Sequence, residues 1–138
     1  MTRIHGFIAI ASIAGLALFG LATQSSAQDP LAEGTVLQRT DVAGGLEAIL
    51  VLRELPAGGE SGKHTQSGSE IVYILEGSVI LEVEGKDPVT VKQGEAFQTG
   101  AGVVHNVKNA SSSAGGKALA FYVAKKGTAL EALSKPTE

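Results

Sequence analysis

Two histidines and one glutamate are the residues of this chain best suited to metal or acid–base chemistry: His64, His105 and Glu70. His64-Thr65-Gln66 reads as extended chain, which turns residues 64 and 66 to the same side. Glu70 follows four residues later, across Ser67-Gly68-Ser69, and shares a strand face with Val72 and Ile74. A carboxylate opening an otherwise apolar face stands at a rim or meets a buried partner. His105 lies between Val104 and Val107, near the start of another extended segment. Singly, such histidines are more often structural or exposed than ligands. Two imidazoles, a carboxylate and an amide converging inside a barrel suit a divalent metal ion.

The elements that must position these residues read as strands. Candidates are Thr35–Thr40, Leu46–Leu55, Glu70–Leu75, Ser78–Glu84, Pro88–Val91, Ala96–Thr99, Val103–Val107 and Ala118–Ala124. Val79, Leu81 and Val83 alternate with Ser78, Ile80, Glu82 and Glu84, a period of two, and Gly85-Lys86-Asp87 predicts a hairpin into the next strand. Strands recurring every 8–12 residues with glycine-bearing turns predict an antiparallel sandwich or barrel, not βαβ units. The exception is a short helix predicted over Ala129–Leu133, followed by a frayed tail at 134–138. Residues 111–116, Ser-Ser-Ser-Ala-Gly-Gly, read as a loop. Of the aromatics beyond residue 27, the two phenylalanines read as core, and Tyr73 or Tyr122 is placed to bring a hydroxyl into a pocket. Asn109 reads as a turn-holding side chain, and Lys125-Lys126 as a solvated pair.

Composition narrows the classes. The chain has 138 residues, a formal charge of −3 and no cysteine. That excludes disulfides, thiolate metal sites and cysteine nucleophiles, and argues against nucleic acid as a partner. The first 27 residues have the three-part pattern of a secretory signal peptide: Arg3, an apolar run from Phe7 to Ala22, then small residues with Ser25 and Ala27 at positions −3 and −1 of a cleavage site. An uncleaved anchor is the competing reading, but the run is shorter than the ~20 residues of a usual membrane span. The expectation is therefore export to the periplasm or beyond. The mature chain would comprise a lead-in and first strand at 28–45, a barrel domain at 46–124 and a C-terminal tail at 125–138, without a membrane segment.

Two spaced patterns carry a family resemblance. Gly58, then His64-x-Gln66, then Glu70 and Gly77 resembles the first motif of the cupin superfamily. Gly94, then Gly100-x-Gly102, His105 and Asn109 resembles the second. The resemblance covers residues 46–124 and implies an all-β fold, a single antiparallel jelly-roll barrel. It also implies a metal site at His64, Gln66, Glu70 and His105, taking manganese, iron, nickel, zinc or copper, beside a small-molecule ligand, with a homodimer as the usual assembly. An exposed edge such as Thr35–Thr40 gives the physical reason for pairing, since unpaired strand edges invite a partner. The chain departs from the pattern at Gln66, where the family has a second histidine, and at Gly100, where it usually has proline. An amide oxygen is a weaker ligand than imidazole. The surviving His64, Glu70 and His105 resemble a two-histidine, one-carboxylate set, and chemistry of the dioxygenase, isomerase or lyase kind would follow. Alternatively Gln66 marks a metal-poor barrel that binds a small ligand without turnover.

Overall fold

The inward face of one strand sets the pattern of the fold. Along residues 116–124, Gly116, Ala118, Ala120, Tyr122 and Ala124 are buried while the residues between them are not. Alternation of this kind gives a sheet one face for the interior. The computed structural model describes residues 34–128 and 131–133. The ten strands are β1 (Gly34–Val42), β2 (Leu46–Leu55), β3 (His64–Gln66), β4 (Ser69–Glu76), β5 (Ser78–Val83), β6 (Val89–Lys92), β7 (Ala96–Thr99), β8 (His105–Asn109), β9 (Gly116–Lys125) and β10 (Glu131–Leu133). They form two five-stranded sheets, ordered β1-β2-β9-β4-β7 and β10-β3-β8-β5-β6. Every pairing is antiparallel. The fold is all-β, and the expected antiparallel jelly roll is what the chain forms.

The core lies between the sheets. Ile49 and Val51 from β2, Val72 and Ile74 from β4, Val79 and Leu81 from β5, Val91 from β6, and Ala118, Ala120 and Tyr122 from β9 make one cluster. Burying each large aliphatic side chain contributes about 1.5–3 kcal/mol. No helix among the described residues is long and apolar enough to cross a membrane.

Three expectations are corrected. Phe121, read as core, is 40% exposed because it sits on the outward face of β9. The segment predicted as a helix over Ala129–Leu133 contains β10, whose Glu131, Ala132 and Leu133 pair with Gln66, Thr65 and His64. Strand β3 pairs with β8 through a single register position and leaves an open edge. A four- or five-residue helix is marginal alone, whereas the edge offers ready backbone donors and acceptors. Strand β8 also begins two residues later than predicted. Val103 and Val104 lie in the turn before it, where the Val103 amide donates to Gly100 O and Gly102 takes φ +73°. The segment read as a signal peptide, the lead-in at 28–33 and the tail at 134–138 lie outside the described residues.

Candidate metal centre and ligand cavity

The site forms where the two sheets face each other. His64 on β3 stands directly opposite His105 on β8, and opposed residues in an antiparallel pair project to the same side. Their rings are 4.2 Å apart at centroids and tilted by 54°. From the other sheet, Glu70 on β4 pairs with Thr99 on β7 and Tyr122 on β9. That register turns all three inward, and all three are buried.

The hydrogen bonds define the chemistry of each group. His64 Nδ1 lies 2.9 Å from Gly62 O, and His105 Nδ1 lies 3.0 Å from Val103 O. A carbonyl only accepts, so each Nδ1 is a donor, and Nε2 is the ring nitrogen left for another partner. Histidines that ligate metals are commonly oriented in this way. Gln66 Nε2 donates to Glu70 Oε2 at 2.6 Å, and Thr99 Oγ1 donates to the same oxygen at 3.2 Å. His105 Nε2 stands 3.7 Å from it. Burial works against ionisation of Glu70. Hydrogen bonding with His105, Tyr122 and Gln66 outweighs it, so the carboxyl is held below its ordinary value.

All four residues singled out in the sequence are buried and gathered within this network. His64, Glu70 and His105 line a cavity of about 480 Å³, within the range of small-molecule sites. Gln66 is bound to the carboxylate instead of lining the cavity, and its buried Oε1 makes no hydrogen bond. The donor types fit a divalent ion: two imidazoles whose Nδ1 atoms are held by carbonyls, and a carboxylate held toward its ionised form. Two atoms bonded to one ion at about 2.1 Å and opened by 90–120° lie roughly 3–3.7 Å apart, which matches His105 Nε2 and Glu70 Oε2. The spacing of the whole set departs from the expected metal site. Among the described residues, no group of three His, Asp or Glu side chains is arranged to hold a metal ion.

Several residues of the site carry no signal in the sequence. Thr99 reaches Glu70 through the β4–β7 register, and Arg53 enters the cavity from the inward face of β2. Of the two candidate tyrosines, Tyr122 lines the cavity at 1% exposure, while Tyr73 is 44% exposed on the outer face. Asn109 fills the structural role expected of it. Its Nδ2 donates to the carbonyls of Leu55, Pro56 and Ala114, and its Oδ1 accepts from the Ser111 amide. The loop after β2 is thereby tied to β8.

The chain matches the Cupin domain family over residues 51–122 and belongs to that family. No curated protein matches it in sequence. Among solved structures it resembles the DMSP lyase DddQ from Ruegeria pomeroyi DSS-3, with 26% identity and a TM-score of 0.55 over 68% of this chain and 45% of that one. This chain thus spans under half the length of the lyase. A cupin domain from Bordetella pertussis Tohama I is 25% identical, with a TM-score of 0.52 over 65% of this chain and 90% of that one. An uncharacterised double-stranded β-helix protein from Klebsiella pneumoniae subsp. pneumoniae MGH 78578 is 16% identical, with a TM-score of 0.58 over 74% of this chain and 83% of that one.

Proposed function

We propose that this protein is an exported single-domain cupin that holds a divalent metal ion with His64, Glu70 and His105. It binds or transforms a small organic molecule in the adjoining cavity. The observation that carries this reading is the pair of Nδ1–carbonyl bonds, which makes Nε2 of both histidines the nitrogen that would ligate a metal, beside a carboxylate held below its ordinary value. Gln66 acts through Glu70: its amide fixes the carboxylate and helps keep it ionised. A bound ion would supply Lewis-acid or oxygen chemistry. The apolar wall of Val72, Ile74, Val79 and Phe97 holds the organic part of the ligand away from water. The likeness to a DMSP lyase supports lyase-type chemistry on a small molecule within the broader set of dioxygenase-, isomerase- and lyase-like reactions. The test is elemental analysis of the folded Glu70→Ala/His105→Ala double variant. Loss of bound metal is the expected result, and unchanged metal content would sink the assignment.

One observation favours a second reading. The Gln66 amide already engages Glu70 at 2.6 Å, and no three-residue ligand group stands ready among the described residues. On this reading the barrel is metal-poor and binds a small ligand without turnover. It then shows ligand protection against heat that chelator does not alter.

A further inference from the structure

Glu70 belongs to a row of side chains that crosses its sheet from strand to strand. Ile49 on β2 opposes Tyr122 on β9, Tyr122 opposes Glu70 on β4, and Glu70 opposes Thr99 on β7. Opposed residues project to the same side of a sheet, so the phenol and the carboxylate are neighbours inside the barrel. Hydrogen bonding between them helps to hold the Glu70 carboxyl below its ordinary value. Arg53 reaches the same phenol from two rows away. It opposes Ala118, four residues before Tyr122 on β9. The inward positions before Tyr122 are Ala118 and Ala120, and their methyl groups leave the long side chain room to lie along the sheet. Arg53 Nη2 donates to the Tyr122 hydroxyl at 2.7 Å, with the guanidinium carbon 5.8 Å from the ring centroid.

The chemistry of the three groups gives this chain a direction. A guanidinium only donates, and an ionised carboxylate only accepts. The Tyr122 hydroxyl has one proton, so it accepts from Arg53 and gives that proton to Glu70. Hydrogen bonds in such a chain polarise one another, and a low-dielectric interior strengthens each. Both ends of the Tyr122–Glu70 link are buried, at 1% and 5% exposure. Glu70 therefore has three donors around it. Gln66 and Thr99 meet Oε2, and Tyr122 is the third, with a cation behind it.

We infer that Arg53 is a positioning residue of the metal centre, acting on Glu70 through the Tyr122 hydroxyl. The guanidinium turns the phenol's proton toward the carboxylate, and the phenol in turn fixes the carboxylate where it faces His105. The inference rests on the reading of Glu70 as a metal ligand, and extends the site to two residues that neither sequence motif contains.

The test is a double-variant cycle in residues 28–138 with Arg53→Gln, Tyr122→Phe and the two combined. In competition titrations each single variant should bind zinc about 10–100-fold more weakly than the wild type. The combined variant should match Tyr122→Phe to within about twofold, because the cation has no route to Glu70 once the hydroxyl is gone. Arg53→Lys keeps a donor and should recover part of the loss. A role in packing alone would give losses that add, with no recovery by lysine. In metal-free protein the Tyr122 Cζ resonance should move in Arg53→Gln and in Glu70→Gln, while that of the outward-facing Tyr73 stays in place. Additive losses of zinc affinity would overturn the inference, as would a Tyr122 resonance indifferent to Arg53→Gln. No zinc bound by the wild type would overturn the role at a metal centre along with the metal reading itself. A Tyr122 resonance that still moved in Arg53→Gln would then place the failure in the metal reading and not in the hydrogen-bond chain.

Discussion

Glu70 is the residue on which the site turns. It is buried, ionised and contacted by Gln66, Thr99 and His105. Its carboxyl binds a proton less readily in the folded state than in the unfolded chain. In metal-free protein the contribution of Glu70 to stability is therefore complete above the unfolded glutamate value of about 4.3. It is lost as pH falls through the lower folded value, because the unfolded chain takes up the proton first. Urea unfolding across acidic pH should show this loss, and Glu70→Gln should remove its share of the slope. Gln66 is the second residue to test. Replacing it with histidine removes the amide clamp and restores an imidazole next to the carboxylate, so Gln66→His should bind zinc at least tenfold more tightly by competition titration. A flat result would separate this position from the metal.

At the scale of elements, the loop between β2 and β3 is the vulnerable part of the site. It carries Gly62, whose carbonyl orients His64; Asn109 ties its start to β8, and Asn106 holds Glu60 further along it. Asn109→Ala would leave three carbonyls and one amide without that partner. The expected cost is about 2–4 kcal/mol in urea unfolding, together with a broadened His64 resonance in NMR. A loss below about 0.5 kcal/mol would mean that the loop is held by its other contacts. Gly68 in the turn from β3 to β4 is constrained in another way. An added Cβ there would clash with Val123 O, so this turn presses directly on β9. The strands were legible where pattern is local. Leu46–Leu55, rich in Leu, Ile and Val, and Ala96–Thr99 have the bounds read from the sequence. Strand β10 was not legible, because its partner is β3, more than sixty residues away. The same holds for Thr99 and Arg53: their roles come from strand register, which no spacing in the chain encodes. That His64, Gln66, Glu70 and His105 would gather in one place was legible because two short motifs hold them at fixed distances along the chain.

For the whole molecule, the two sheets differ in how they meet solvent. Strand β1 forms the edge of its sheet and is exposed along nearly all its length, with Val36 and Leu37 about half exposed. A nine-residue open edge favours pairing with a second copy. Light scattering of residues 28–138 should give twice the monomer mass, and a Leu37→Lys variant should shift it toward one copy. A monomeric wild-type protein would refute this assembly. The central claim, however, concerns what the barrel holds. The most direct measurement is elemental analysis of residues 28–138, purified without chelator and then incubated in turn with manganese, iron, nickel, zinc and copper, beside a His64→Ala control. The account predicts close to one ion per chain of a single preferred element, lost in the control. No bound metal under any of these conditions would contradict it and leave a ligand-binding barrel in which Gln66 has closed the metal site.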